Sequence, residues 1–471
     1  TRLQGDWSSD VCSSDLFFVR VPLFFCRIVF AILLHAIEQS GVGRRLFYLP
    51  FPRDRREAEQ DPEWMVQLAR QHRAIPADAS CVNVRFHHND PNTMADPDKV
   101  DQVFLMTLTW VTPPGGKRNA EKTLCCKTGP LRGPWQTKLV LSALGFESRE
   151  AAFYNNLAPA LRAAGSPIPQ CYHAACVPLL THTFLLLEGV TSAVAIRESQ
   201  VLGDFNEQYV KLFLKELGRI HKFFSSFPSG YLARSLNGPI LSVVIRSTGA
   251  LQHHHEMLDA ALAFVEEKCP ASLVHGDARL GNALFRNGEC TIVDWECAQN
   301  GTPLFDVLYC IWLCIDFTEE LGGQSGNANK LGSILSFRDW ECVEIWKKEA
   351  FEDDGMVDDR YAPLHEQVVV VSLLLWAYVV YIGNAGFAEV WRNGNNAEDL
   401  AAWNRRIRNR VEAFAGSNAA KSLLAKCLAD YLPNHGAKSC RTMVQEFVGS
   451  TILRNVWTEE EGACRGKMKE Q

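Results

Sequence analysis

The stretch 273–309, LVHGDARLGNALFRNGECTIVDWECAQNGTPLFDVLY, gathers side chains that could do chemistry together. An apolar run ending at Leu273-Val274 is broken by His275-Gly276-Asp277, which sets an acid at a turn, and Asn282 follows that acid by five positions. Two short β-prone runs come next, Ala283 to Arg286 and Glu289 to Val293, separated by Asn287-Gly288. That pair is the strongest short hairpin signal, because both turn residues can take positive φ. Closing the hairpin brings Asn282 and Asp294 to the same end of the ribbon. Two oxygen ligands placed so suit Mg²⁺, which takes one or two protein carboxylates or amides and completes its octahedron with water and phosphate oxygens. Beyond Asp294, Gly301-Thr302-Pro303 turns the chain into a helix beginning near Phe305. Asp306 in its first turn can accept backbone or His275 hydrogen bonds and brace the turn that carries Asp277.

The offset from Asp277 to Asn282 is similar to that between the Asp and the Asn of the protein-kinase catalytic loop, where the Asp receives the hydroxyl proton and the Asn holds a metal ion. Asp294 then stands where that class has its metal-binding Asp. HGDARLGN, followed by VDWECA and GTPLFDVLY, resembles the phosphotransferases that include aminoglycoside phosphotransferases, choline kinases and the ecdysteroid-kinase-like (CHK kinase-like) enzymes. The resemblance implies an α+β, bilobal protein-kinase-like fold, with an antiparallel-sheet amino-terminal lobe and a mainly helical carboxy-terminal lobe. It also implies a small-molecule kinase that moves the γ-phosphoryl group of ATP, with Mg²⁺, to a hydroxyl of a small-molecule alcohol. Asp277, Asn282 and Asp294 are the catalytic set, with Asn282 and Asp294 holding the metal. Arg279 either neutralises developing charge or faces solvent.

Such a site needs a lysine for the α- and β-phosphates and a carboxylate to steady it. Lys127 ends the β-prone run TLCCK and is the candidate lysine. Glu150 in FESREAAFYNNL is its partner, since Glu150-Ala151-Ala152-Phe153-Tyr154 is similar to the corresponding helix of the family; Glu147, one turn earlier, is the competing choice. Phe184 to Val190 resembles the segment between the lobes, with Glu188 as a backbone contact to adenine. One departure stands out. Residues 87–102, HHNDPNTMADPDKVDQ, lie where the family carries a phosphate-binding glycine loop, and they contain no glycine. The departure motivates an alternative reading as a catalytically weak or inactive pseudokinase or nucleotide-binding module.

Several elements must position these residues. Asp61-Pro62-Glu63 is a helix start. Cys81–Phe86, Val103–Val111 and Lys122–Thr128 pattern as three strands, and Cys171–His173 with Thr183–Leu187 as two more. Residues 206–224 form an amphipathic helix whose His221 reads as a satisfied core histidine. His253-His254-His255 sit on different faces of a helical stretch over 251–267, so one metal cannot engage all three. Val368–Ile382 is apolar on every side yet short for a membrane span, which makes it a central core helix.

At 471 residues the chain fits two lobes plus extensions. The expected divisions are 1–16, an adapter-like sequence artefact; 17–60, an apolar then basic extension or linker; 61–190, a nucleotide-binding lobe; 191–440, a catalytic and substrate lobe; and 441–471, a charged tail. Residues 17–37 are apolar, but Arg20, Pro22 and Arg27 interrupt them and leave only about ten residues to Ile37, short of the roughly 20 that span a bilayer. No membrane association is expected. The formal net charge of −6 offers no basic patch for nucleic acid. The 16 cysteines are scattered without metal-ligand spacing, which points to a reducing, cytoplasmic compartment. No motif selects an oligomeric state or names the acceptor alcohol.

Overall fold

The computed structural model describes residues 51–52, 54–87, 102–111, 120–128, 146–177, 182–196, 205–225, 227, 254–315, 335–353, 356–357, 364–384, 397–432 and 437–449. The expected bilobal α+β architecture is present. Two short helices open the described chain, α1 (Arg55–Gln60) and α2 (Pro62–Gln71). The Asp61 side chain accepts from the Trp64 N–H and Pro62 stands in the first turn, as the sequence requires of a capped start.

Three strands follow, β1 (Ser80–His87), β2 (Val103–Val111) and β3 (Ala120–Thr128). The chain continues into α3 (Phe146–Ala152), a single π-helical turn at Phe153–Leu157, and α4 (Ala158–Ala163). It returns through β4 (Cys171–Val177) and β5 (His182–Glu188), completing a five-stranded antiparallel sheet in the order β1-β2-β3-β5-β4. The two-residue period of the strands decides which way each side chain points. Phe104, Met106, Leu108, Trp110, Leu124, Cys126, Phe184 and Leu186 pack with α1 and α2 in one core. Their neighbours Cys125, Leu185 and Leu187 pack against the other core, so Lys127 shares the sheet face that looks toward the carboxy-terminal lobe.

A short strand β6 (Val194–Ala195) leads to the long helices α5 (Phe205–Ser225) and α6 (His255–Lys268). Then come β7 (Ser272–Val274), the hairpin β8 (Ala283–Arg286) and β9 (Glu289–Ile292), and β10 (Gln299–Gly301) paired to β7. Asn287 and Gly288 take φ of 54° and 79°, as the hairpin demands. The remainder is helical: α7 (Pro303–Cys314), α8 (Phe337–Phe351), a two-residue-strand hairpin at 352–357, α9 (Leu364–Asn384), α10 (Ala397–Gly416), α11 (Asn418–Leu428) and α12 (Ala437–Gly449). Val368 to Ala377 of α9 are all buried, and α9 packs against α6, α7 and α11 as the expected central core helix. Among the described residues, no helix is long and apolar enough to cross a membrane.

The amino-terminal lobe begins earlier than expected. Phe51 stacks on Phe184 with ring centroids 5.6 Å apart, and Phe51 and Ala58 are buried in the sheet core. Residues 51–60, expected as part of a linker, belong to the lobe because they cover its outer sheet face. The glycine-free loop at 88–101, the apolar run 17–37 and the tail beyond 449 lie outside the described residues.

Candidate active site

The turn after β7 carries Asp277, and its shape depends on two neighbours. Gly276 adopts φ +82°, and a Cβ there would stand 2.4 Å from the Cys297 carbonyl oxygen, so only glycine fits. Asp306 is fully buried at the start of α7 and accepts the N–H of His275 on Oδ2 at 2.6 Å and that of Gly276 on Oδ1 at 2.9 Å. The bracing role expected of Asp306 is thus met by backbone amides. The His275 ring bonds the Val293 carbonyl through Nε2 at 2.9 Å and packs beside Trp295.

Asp277 is surrounded by donors. Asn282 Nδ2 donates to its carbonyl at 2.9 Å and to Oδ2 at 2.7 Å, Arg279 Nε donates to Oδ2 at 3.1 Å, and the Tyr309 hydroxyl donates to Oδ1 at 2.9 Å. Burial opposes its negative charge, but Arg279, His275 and the Asn282 amide outweigh that, and the carboxyl is held below its ordinary range. An ionised acid results, as a proton acceptor requires. Both amide protons of Asn282 face Asp277, which leaves its Oδ1 as the atom with coordinating capacity. The Val293 N–H donates to the Asn282 carbonyl at 2.9 Å, so the hairpin does bring Asn282 beside the chain entering Asp294.

Asp294 sits in the left-handed region at φ 66°, ψ 58°, heading a one-turn 3₁₀ helix at Trp295–Cys297. Trp295 stacks face to face on Phe153, with centroids 4.0 Å apart, and so ties this turn to the helical segment that bears Glu150. Lys127 closes the group. Its Nζ pairs with Glu150 Oε2 at 2.6 Å and with Asp294 Oδ1, and lies 3.7 Å from Glu296 Oε2. Burial works against the ammonium, but Asp294, Glu150 and Glu296 overcome it and push the lysine well above its ordinary range. Glu150 moves upward as well, to about 7, because burial is the dominant influence and the adjacent Asp294 and Glu296 carboxylates repel its charge, with Lys127 opposing. Ligand atoms of Glu150, Asp294 and Glu296 lie within 4.8 Å of one another. This all-carboxylate donor set suits a hard divalent cation.

The structure therefore brings Lys127, Glu150 and Asp294 into one cluster, and Asp277 and Asn282 into another at the adjoining end of the hairpin. Between the two glutamates weighed for Lys127, Glu150 makes the contact. Glu188 joins neither cluster. Its N–H donates to the Gln170 carbonyl at 2.7 Å inside the sheet, and its exposed carboxylate accepts from the Gln170 N–H and pairs with Arg162 at 3.5 Å. The Glu188 N–H is thus engaged by Gln170, the residue before β4.

Two residues of the site went unassigned by the sequence reading. Glu296 follows Asp294 by two positions, and a tight 3₁₀ turn is needed to fold it back toward Lys127. Tyr309 lies in an apolar run of α7. It follows Asp306 by three positions in a helix, a spacing that sets both on one side and was the available signal.

Comparison with known proteins bears out the family resemblance: residues 139–346 match the model of the phosphotransferase enzyme family. Comparison with curated proteins gives no match. Solved structures similar to this chain include a choline/ethanolamine kinase family protein from Mesorhizobium loti, 14% identical, covering 78% of this chain and 98% of that one at a TM-score of 0.43. A choline kinase from Streptococcus pneumoniae is 11% identical, with 70% and 94% covered and a TM-score of 0.37. An amicoumacin kinase in complex with AMP-PNP, Ca²⁺ and Ami is 11% identical, with 75% and 96% covered and a TM-score of 0.40.

Proposed function

We propose, taking the phosphotransferase-family match over residues 139–346 as premise, that this protein transfers the γ-phosphoryl group of ATP to a hydroxyl of a small-molecule alcohol. The observation that carries the reading is the Lys127–Glu150–Asp294 cluster beside an ionised, donor-surrounded Asp277. Phosphoryl transfer asks little covalent chemistry of a protein and depends on positioning and electrostatics.

Each residue then has a task. Asp277 orients the acceptor hydroxyl and takes its proton as the oxygen attacks phosphorus. Asn282 holds Asp277 in place with its amide protons, and its carbonyl oxygen is the atom that would serve a metal. Lys127 neutralises the α- and β-phosphates, and Glu150 steadies the ammonium. Arg279, paired to Asp277, adds positive charge beside the reacting group. Asn282 and Asp294 are the residues that would hold Mg²⁺, with Glu296 within reach, and the ion would supply charge neutralisation on the phosphates.

Calorimetric titration of the full chain with ATP, with and without Mg²⁺, tests the first half of this reading. Binding that requires Mg²⁺ and weakens in Asp294→Ala is expected. The second half is tested by phosphate transfer from labelled ATP to a panel of alcohols, where Asp277→Ala and Asp294→Ala should each lose several powers of ten in turnover with the fold intact. A normal turnover in Asp294→Ala would sink the assignment. A folded wild type that binds no ATP would favour the inactive, pseudokinase reading.

A further inference from the structure

Behind the catalytic turn lies a buried chain of polar contacts that none of these roles uses. Trp346 of α8, His221 of α5 and Asp306 of α7 are almost wholly or wholly inaccessible. The Trp346 indole N–H donates to His221 Nδ1 at 2.9 Å. His221 Nε2 faces Asp306 Oδ2 at 3.4 Å, on the same oxygen that accepts the His275 N–H. An indole N–H can only donate, so Nδ1 must be the unprotonated nitrogen. The neutral ring then carries its hydrogen on Nε2, aimed at Asp306.

The helices are built to make this contact. Gly218 lies one turn before His221 on α5, and Glu349 one turn after Trp346 on α8. A Cβ at Gly218 would stand 2.8 Å from Glu349 Cβ and 3.0 Å from the Trp346 carbonyl oxygen, so the glycine is what lets the two helices approach. The Ser272 hydroxyl donates to the His221 carbonyl at 2.9 Å and ties the same turn of α5 to β7, the strand that runs directly into His275. Four elements, α5, α7, α8 and β7, therefore meet at His221.

We propose that His221 and Trp346 are positioning residues for the catalytic turn: Trp346 fixes the Nε2–H tautomer of His221, and that hydrogen holds Asp306 in the orientation that grips the His275 and Gly276 amides and so places Asp277. Asp306 is a buried carboxylate whose other two partners are backbone amides. Without the imidazole it has one donor fewer and freedom to turn, and the catalytic turn follows it. Nothing in this arrangement touches substrate.

Two measurements test the proposal, and only the second rests on the phosphotransferase reading. In full-length protein labelled with ¹⁵N-histidine, the resonances lost in His221→Gln identify His221. The wild type should show an Nε2–H tautomer with Nδ1 as acceptor, and Trp346→Phe should give a mixed or reversed tautomer. An Nδ1–H tautomer in the wild type, or a spectrum unmoved by Trp346→Phe, overturns the proposal. In the second measurement, ATP with Mg²⁺ is turned over with water as the acceptor. His221→Leu should lower kcat about ten- to hundredfold at unchanged KM for ATP, and His221→Gln, which keeps a side-chain N–H, should recover most of that loss. A His221→Leu protein with a lower melting temperature but unchanged kcat below it would show a purely structural histidine and overturn the positioning role. A folded wild type that neither binds ATP nor turns it over removes the phosphotransferase reading and the catalytic part of the proposal with it, while the tautomer result still decides the geometry.

Discussion

The Tyr309 hydroxyl donates to Oδ1 of Asp277 at 2.9 Å, while Arg279 and Asn282 both donate to Oδ2. Each carboxylate oxygen accepts about two hydrogen bonds, so Oδ2 is saturated and Oδ1 retains one place. The acceptor hydroxyl is therefore expected at Oδ1, next to the phenol. Tyr309→Phe removes the donor that fixes this oxygen without changing the shape of the buried ring. Steady-state kinetics with ATP and Mg²⁺ should show kcat down about tenfold and KM for ATP unchanged. An unaltered kcat would place the reacting oxygen elsewhere.

Glu150 gives the protein a pH dependence whose sign can be worked out. Its carboxyl is pushed up to about 7 against an ordinary 4.5, first by burial and then by Asp294 and Glu296. Between those values the folded chain binds more protons at this site than the unfolded chain. The stability contributed is full below about pH 4.5 and is lost as pH rises to about 7, on the order of 3 kcal/mol at most. Glu150→Gln cannot titrate. In the absence of nucleotide, the stability of the variant minus that of the wild type should climb from pH 4.5 to 7 and then level off, as read by denaturant midpoints. A flat difference would mean that Glu150 stays ionised throughout.

Local signals made much of this site legible. Asn287-Gly288 sets the register of the hairpin with no help from the rest of the fold, and the register alone puts Asn282 beside the chain entering Asp294. Lys127 ends its strand and Glu150 lies on its helix, and the turn that carries Asp294 is held beside them because Trp295 stacks on Phe153. That stacking is a contact between residues far apart in sequence, and no local pattern contains it. The boundary at Phe51 has the same cause: its partner, Phe184, lies on a strand more than a hundred residues away.

Gly276 is the residue on which the geometry of the catalytic turn turns most sharply. Its φ of +82° disfavours any side chain, and the Cys297 carbonyl oxygen stands 2.4 Å from where a Cβ would be. Gly276→Ala must move either the turn or the 3₁₀ segment that follows Asp294, and both carry proposed catalytic residues. A loss of about 3 kcal/mol in unfolding free energy is expected, together with loss of nucleotide turnover. Ala at Gly288, where a Cβ meets nothing within 4 Å despite a φ of +79°, is the control, with a smaller loss of about 1 kcal/mol from backbone strain alone. Equal losses at the two positions would show that the clash at Cys297 relaxes freely.

The far end of α7 is held by charge. Arg410 of α10 makes a two-point pair with Asp339, Nη1 to Oδ2 at 2.7 Å and Nη2 to Oδ1 at 3.0 Å, and both residues are fully buried. The same guanidinium donates to the Ile315 carbonyl and to that of Ile311, which also accepts the Ile315 N–H, and Arg406 donates to that of Leu313, so two arginines cap the carbonyls where α7 ends. Helix α7 also carries Asp306 and Tyr309, and a shift at its end would be felt at Asp277. Arg410→Met leaves Asp339 buried without a cation and should cost about 3–5 kcal/mol, whereas Asp339→Leu with Arg410→Met removes both charges and should recover much of that loss. Recovery should stop short of the wild type, because the Ile315 carbonyl still lacks the Arg410 donor. Denaturant unfolding of the two variants measures the difference, and a double variant no more stable than Arg410→Met would show that the carbonyl contacts, rather than the ion pair, hold the helix end.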